Sequence, residues 1–595
     1  MQERNKLAAV CMLLLLIPFG VFFATLEAGF LNWDDDVNVF ENTHVQGLTG
    51  ENLAWMFSDF GHAIRYKPLS WLGWAVVHEF FGLNPFGYHL ANVSVHCLNT
   101  LLLFIVLRRL VRVAIGEAEE ANGRYLDAGC AMGALLWSLH PMRVEPIAWV
   151  TGFPYSTSLF LLLGSTNLYL RSQDDGFEPG IRRRDFWLSV VAYALSAITY
   201  PIVLGFSAVL VAIDFYPLRW FTAEDRLSLW GESAKRAWLA KVPFLVIAGS
   251  LVALTLYGRF RHTEYWIQPA SMDDFGLLAR AMQAAYVWAY YVWKPLFPTG
   301  LCPVYTTLIW NDPWDLDFVL SLVFVVGVSA LLLMRWRQWP MLLAVWIAHL
   351  GILVPMLGLT ERPHYAHDRY GIINGIFWSV MLVGGVVRVR RSIIVQKRVL
   401  AMTVVILLAC GIATARYTRV WRDDISFFTH MTNNLGENEF RNLAQLNLGE
   451  AYYRQGRPEL ALWQFEQAEI KRELWVFPFD FQRRALGHGN TFLSLKFWNE
   501  AAGEYRKALA INPRNVAARN NLAVALWKNG QLDEAIRELR EVVRLQPDRS
   551  DSYLNLGTVL LAANRQNEAI IALEQALRLG ADPALIDAKL AAARR

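Results

Sequence analysis

Along its first 415 residues the chain alternates long apolar runs with short polar joints, and near Tyr417 that pattern gives way to a polar repeat. Measured against the ~20 residues needed to cross a bilayer, the apolar runs predict spans at 7–25, 88–107, 126–139, 146–170, 186–200, 201–216, 241–258, 317–334, 340–357, 370–387 and 398–415. That makes eleven passes. Lys and Arg cluster at Arg4/Lys6, Arg108/Arg109/Arg112, Arg182–Arg184, Arg219/Lys235/Arg236/Lys241, Arg335/Arg337 and Arg388–Arg398, and such clusters belong on the cytoplasmic side. The N-terminus is then inside, the first run being a retained helix rather than a cleaved leader. The C-terminal repeats and the loops 26–87, 140–145, 259–316 and 358–369 are outside. Segment 277–297 has both flanks outside and cannot cross once; its aromatics, with Arg280 and Lys294, predict a helix lying in the outer interface. Each half of the 186–216 pair covers only about 22 Å. The pair therefore reads as a short hairpin with Thr199-Tyr200-Pro201 at a tip below the outer surface, tolerated where protein or a water-filled cavity shields the backbone.

In the second part small residues recur every 34 positions at Ala501, Ala535 and Ala569, the period of tetratricopeptide helix pairs. Four units fit, through Leu448/Gly449/Ala461/Phe465, Gly489/Ala501/Tyr505/Pro513, Leu522/Ala535/Pro547 and Leu556/Gly557/Ala569. An insertion falls near 474–481, and a last helix, 583–595, caps the apolar end. The expected fold is all-α: a polytopic transmembrane helical bundle over 1–415, then a tetratricopeptide α-solenoid over 416–595.

Composition agrees with that division. Of 595 residues 55% are hydrophobic and only 18% charged, too apolar for an ordinary soluble chain. The 24 tryptophans and 21 tyrosines suit membrane interfaces. A net charge of +4, with its basic residues in loop clusters, gives no reason to expect nucleic acid. Five cysteines, of which only Cys302 reads as exposed outside, exclude a disulfide framework. The repeats form a groove that holds an extended peptide or another protein, or act only as a spacer.

Candidate chemistry lies in the outer loops. Asp34, Asp35 and Asp36 follow the first span, in an aromatic loop of about sixty residues, longer than a mere connection needs. Adjacent carboxylates suit a general base, could equally hold a divalent cation, or are simply solvated. The same loop carries Lys67. His89, Asn92, His96 and Asn99 share one face of the second span; helix–helix hydrogen bonding is the plainer reading for His96 and Asn99. The 140–146 turn carries His140, Arg143 and Glu145, and the 360–370 loop carries Arg362, His364, His367, Asp368 and Arg369. Guanidinium groups at an outer mouth suit a lipid-linked phosphate.

With these motifs in order, namely Asp34-Asp35, Lys67-Pro68-Leu69, Leu83-Asn84-Pro85 before His89, His140-Pro141 with Glu145 and Trp149, Trp293-Lys294, Asp368-Arg369-Tyr370 and Trp421-Arg422-Asp423, the chain resembles the C-type (GT-C) glycosyltransferases. Within them it is similar to the transmembrane-and-tetratricopeptide-repeat O-mannosyltransferases and their bacterial relatives. The resemblance implies inverting sugar transfer from a polyprenyl- or dolichyl-phosphate donor to a Ser or Thr of a protein acceptor on the extracytoplasmic face. It implies Asp34 or Asp35 as catalytic base, Arg369, Arg362 and Lys294 as cations for the donor phosphate, and no required metal. Asp36, Lys67, His89, Asn92, His140, Arg143, Glu145, Tyr200, His364, His367 and Asp368 would line the site.

Two departures stand out. Relatives commonly carry a basic-acidic patch where this chain has Gly152-Phe153-Pro154-Tyr155-Ser156, and often a lysine where it has Tyr200. Hence the alternative of a membrane-anchored scaffold that recruits partners without catalysis. A lipid flippase would need polar residues on both sides, and they gather on one. The single glycosylation pattern, Asn92-Val93-Ser94, lies within a span, favouring a bacterial inner membrane over the endoplasmic reticulum.

Overall fold

The computed structural model describes residues 2–594 except 61, 63–65, 117–122, 174–182, 224–225, 262–270, 274, 309–311, 360–363, 365, 390–391, 437 and 469–477. The described residues are mainly helical, and their one named sheet is a two-residue-per-strand hairpin, Thr222–Ala223 with Arg226–Leu227. Two compact units emerge, Met1–Phe427 and Phe428–Arg595, so the division falls beyond Trp421-Arg422-Asp423 rather than at 415.

In the first unit five helices among the described residues are long and apolar enough to cross a membrane: Pro85–Ile115, Glu232–Gly258, Leu316–Met334, Asp368–Arg388 and Ile393–Trp421. A sixth is reached if Pro141–Ala148 and Val150–Arg171, bent by 102°, count as one span. Eleven full passes are not reached. Some of the apolar runs instead form shorter helices, Pro201–Phe215 and Pro340–Ile352 among them, and a hydropathy count scores such pieces like full spans although they fall short of bilayer thickness. Segment 277–297 is one helix, Leu277–Leu296. The segment 26–87, read from the sequence as a loop, holds helices of its own, Gly50–Ser58 and Pro68–Phe81.

The bend at Trp149 organises this unit. Trp149 has φ −90° and ψ 132°, which stops one helix before Phe153–Arg171 begins. A broken helix frees backbone carbonyls that must find donors in an apolar interior. The Asn92 amide supplies them, donating to Pro146 O (3.0 Å), Ile147 O (2.8 Å) and Trp149 O (3.1 Å). Gly152 makes the tight return feasible, since a Cβ there would lie 2.3 Å from Pro146 O. The remaining members of the polar stripe also bridge elements: His96 Nε2 to Ser138 O (3.1 Å), Asn99 Nδ2 to Ser156 O (2.8 Å) and His89 Nε2 to Gly29 O (3.3 Å).

In the second unit, helices 439–454/458–467, 478–494/498–511, 516–528/532–545 and 550–562/566–578 stack as antiparallel pairs, followed by Pro583–Ala593. Glycines sit where a pair closes. Added Cβ atoms at Gly449, Gly489 and Gly557 would lie 2.7 Å from Phe465, Tyr505 and Leu573. The core runs through Ala501, Tyr505, Leu522, Ala535, Leu539 and Ala569. Of the 474–481 insertion, residues 474–477 fall outside the described residues, and 478–481 open the helix Pro478–Ser494.

Candidate active site

The three acidic residues of the first loop have different surroundings. Asp35 is fully buried: Oδ2 accepts from Leu31 N (2.9 Å), and Oδ1 from both Thr151 N (2.9 Å) and Thr151 Oγ1 (2.6 Å). Its carboxylate thus ties the loop to the turn just after the Trp149 bend. Burial pushes its pKa from 3.8 up to about 7, against the opposing pull of those hydrogen bonds. Asp34 is exposed and held at φ +73°, a left-handed conformation uncommon outside glycine. Its carbonyl accepts from Asn38 N (3.0 Å) and Asn38 Nδ2 (2.8 Å), while Asn38 Oδ1 accepts from the buried Lys67 ammonium (2.6 Å). Asp36 begins a wide π-helical turn, Asp36–Phe40, and is half-buried.

The loop is fixed on its other sides as well. Asn32 donates N and Nδ2 to the Asp424 carboxylate (2.8 and 2.6 Å), and Trp149 Nε1 donates to Trp33 O (3.0 Å). Trp149 then carries the geometry onward, because the Arg369 guanidinium lies over its ring at 5.3 Å, and over Tyr370 at 5.2 Å. Glu145 forms the ion pair with Arg369: Oε1 faces Nη1, and Oε2 accepts from Arg369 N (2.8 Å). Arg369 Nε donates to Tyr155 OH (3.1 Å), which lies 2.8 Å from Tyr200 OH. Among the described residues no acceptor meets Nη2, on a side chain still 11% exposed. That edge is a donor pair suited to an anionic oxygen.

Asp368 faces the other way, into a buried polar cluster. It accepts from Tyr305 OH (3.1 Å to each oxygen) and Tyr290 OH (3.4 Å). Lys294 lies over Tyr305 at 4.6 Å and donates to Thr299 O (2.8 Å); burial holds its ammonium below the ordinary lysine value, with Asp368 opposing.

Several of the residues singled out from sequence serve the scaffold. His140 Nε2 donates to Pro295 O (2.9 Å) and Nδ1 accepts from Met142 N (3.3 Å), so a neutral ring joins the turn to the Leu277–Leu296 helix. Arg143 is buried and donates to Gly371 O (2.7 Å). His367 Nδ1 binds Pro303 O (2.7 Å) and His364 Nε2 binds Met356 O (2.9 Å), so neither imidazole lines an open mouth. His89 and Asn92 hold backbone carbonyls. Arg362 lies outside the described residues. The structure thus gathers Asp34, Asp35, Glu145, Tyr200 and Arg369 around Trp149. It adds Thr151, Asn38 and Tyr155, whose partners lie up to 214 positions away in sequence. Among the described residues no group of three or more His, Cys, Asp or Glu side chains could share a metal ion, and both Asp35 oxygens are already taken.

A helical chain with several membrane-length helices, an acidic loop joined to an arginine, and a tetratricopeptide arm is the class this defines. Tetratricopeptide repeat models match residues 435–473, 497–556 and 550–582. The chain is 30% identical over 143 residues to Protein O-mannosyl-transferase Tmtc1 of Drosophila melanogaster, covering 23% of this chain and 15% of that protein. It is 24% identical over 309 residues to Protein O-mannosyl-transferase TMTC4 of Mus musculus, covering 47% and 41%. The chain therefore spans well under half the length of these curated relatives. Among solved structures it is similar to TTC0263, a thermophilic tetratricopeptide repeat protein of Thermus thermophilus, with 26% identity, TM-score 0.21, and 26% of this chain and 80% of that one covered.

Proposed function

We propose that the chain is a membrane glycosyltransferase moving a sugar, mannose by its relatives' names, from a polyprenyl- or dolichyl-phosphate carrier to a protein Ser or Thr on the extracytoplasmic face. The observation that carries this reading is the single indole, Trp149, joining the strained acidic turn to an arginine whose outer edge meets no protein acceptor among the described residues. Asp34 is the general base, because it alone of the pair is exposed; Asp35 is a buried clamp. Asp34 takes the acceptor hydroxyl proton, the oxygen attacks the anomeric carbon, and the bond from that carbon to the phosphate oxygen breaks with inversion. The electron pair leaves on the phosphate. Arg369 receives the growing charge, fixed in advance by Glu145 and Tyr155 so that no reorganisation is needed during reaction. The sugar is supplied by the lipid carrier, and the repeats bind the acceptor protein. A bacterial inner membrane is the proposed site, with the endoplasmic reticulum as the alternative.

The test is transfer of labelled mannose from polyprenyl-phosphate mannose to membrane protein, by the parent, Asp34→Asn and Asp35→Asn at matched expression. Asp34→Asn is expected to lose at least about a hundredfold in rate, the lower range for a general base, while keeping the parent's unfolding temperature. Asp35→Asn loses activity together with stability. No transfer by the parent from any polyprenyl-phosphate sugar would favour the scaffold reading.

A further inference from the structure

Tyr155, within the Gly152–Ser156 stretch, and Tyr200, at the end of the Arg184–Thr199 helix, meet. Their hydroxyls are 2.8 Å apart and their rings 4.3 Å apart at 45°, and both residues are buried. Tyr155 sits one turn into the Phe153–Arg171 helix, directly after the Trp149 bend. Tyr200 occupies the corner between Arg184–Thr199 and the Pro201–Val203 turn, in extended backbone at φ −157°. That corner is pinned from two sides. Ser70 Oγ donates to Thr199 O (2.6 Å), and the Ser158 hydroxyl lies between Ser196 O (2.9 Å) and Tyr200 O (3.3 Å).

We infer that Tyr155 and Tyr200 form a two-hydroxyl brace that orients the Arg369 guanidinium toward the phosphate of the lipid-linked donor, Tyr200 acting through Tyr155. This rests on the transferase reading of the same site. A guanidinium is planar, so one bond at Nη1 leaves it able to swing about that contact, whereas a second at Nε fixes its plane and the direction of Nη2. Glu145 provides the first bond and Tyr155 OH the second. The Trp149 and Tyr370 rings flank the guanidinium, and the ring of Tyr155 is held in turn by Tyr200. A hydroxyl bonded to a cation is polarised, which strengthens its bond to the next hydroxyl. A neutral pair achieves this without a second buried positive charge beside Arg369, which like-charge repulsion would disfavour. Both tyrosines are positioning residues, and the short hairpin brings Tyr200 to the site from a separate part of the chain.

The series arrangement makes a specific prediction. The full chain in lipid nanodiscs would be titrated with polyprenyl monophosphate lacking the sugar, comparing the parent, Tyr155→Phe, Tyr200→Phe and the double variant, with unfolding temperature recorded for each. Losing a hydrogen bond to a charged group is expected to weaken Kd roughly tenfold in Tyr155→Phe. The effect in Tyr200→Phe is smaller, about threefold on the same scale. The double variant should match Tyr155→Phe alone, because the Tyr200 hydroxyl reaches Arg369 by way of the Tyr155 hydroxyl. In transfer assays donor KM should rise and kcat should fall with it, because Arg369 also receives the charge that grows on the phosphate. Multiplying effects in the double variant, no effect of either hydroxyl on Kd, or no phosphate binding by the parent would each overturn the inference. Should the phenylalanine variants unfold, Ser70→Ala releases the Thr199 carbonyl beside Tyr200 and leaves both tyrosines in place. It should weaken Kd about twofold or more by loosening the corner, and an unchanged Kd overturns the brace. A parent that binds the phosphate but transfers nothing leaves the brace standing and removes the catalytic reading. A parent that transfers sugar while Kd ignores both tyrosines does the reverse.

Discussion

Both Asp35 oxygens accept from backbone N–H groups, and this determines how it responds to substitution and to pH. An asparagine there must point its NH2 either at the Leu31 N–H or at the Thr151 N–H, because both face the carboxylate. Whichever way the amide turns, two donors oppose each other and a buried hydrogen bond is lost, at a cost of about 1–3 kcal/mol. Titration acts in the opposite sense to that of most native carboxylates. The group binds its proton more tightly folded, near pH 7, than unfolded, near 3.8, so between those values the folded state holds more protons. Its stabilising contribution is complete below the unfolded value and is lost as pH rises through about 7, at no more than about 1.4 kcal/mol per pH unit. The unfolding temperature of the detergent-solubilised chain should therefore fall between about pH 4 and about pH 7 and level off above that. In Asp35→Asn that slope should flatten; an equally steep slope in the variant would assign the titration elsewhere. Glu145→Gln poses a different problem, since it leaves the largely buried Arg369 cation without its carboxylate. Breaking such a pair costs about 3–5 kcal/mol. Adding Arg369→Met to Glu145→Gln should recover stability but not transfer, and a double variant as unstable as the single one would show that the pair is not what holds this corner.

At the scale of elements, close helix crossings make sharper predictions than apolar area does. A Cβ on Gly205 would lie 2.2 Å from Gly351 O, and one on Gly351 would lie 2.1 Å from the Ala208 Cβ. This is the small-residue approach by which membrane helices pack without a hydrophobic drive. Gly205→Ala should destabilise by about 1–3 kcal/mol, near the upper end because backbone must move. Gly249→Ala, where nothing lies within 4 Å of the added carbon, should be neutral or slightly stabilising. Equal effects in thermal unfolding would refute the crossing. Apolar runs such as 317–334 and 398–415 announce their helices, Leu316–Met334 and Ile393–Tyr417, because length and hydropathy are local properties. The repeats are legible for the same reason: a fixed period puts each small residue where a pair closes. Hydropathy says nothing of direction, so the 102° bend at Trp149 left no trace, although it is what aims Glu145 and Trp149 at one centre. Adjacency in sequence could not separate Asp34 from Asp35 either. One is turned outward by a left-handed backbone and the other is bonded to Thr151, 116 positions away.

Over the whole molecule, function depends on which residues share a side of the membrane, and here the basic clusters are the only guide in the sequence. They place Arg112 inside, and the first loop and the repeats outside. Helix length does not fix the parity of the crossings, since pieces such as Pro340–Ile352 could cross with a tilted neighbour or turn back. Single cysteines resolve this, because the free native thiols, at Cys11, Cys97, Cys130, Cys302 and Cys410, are partly or fully buried and can be replaced by serine. Glu51, Arg112 and Lys528 are all at least partly exposed and suit substitution by cysteine. In intact bacterial cells with a permeable outer membrane, an impermeant maleimide should label Glu51→Cys and Lys528→Cys but leave Arg112→Cys unlabelled until the inner membrane is opened. If Lys528→Cys is protected while Glu51→Cys reacts, the repeats and the Asp34 loop lie on opposite sides. The repeats could not then bring a protein acceptor to that aspartate, and the acceptor would have to be recruited by the outer loops themselves.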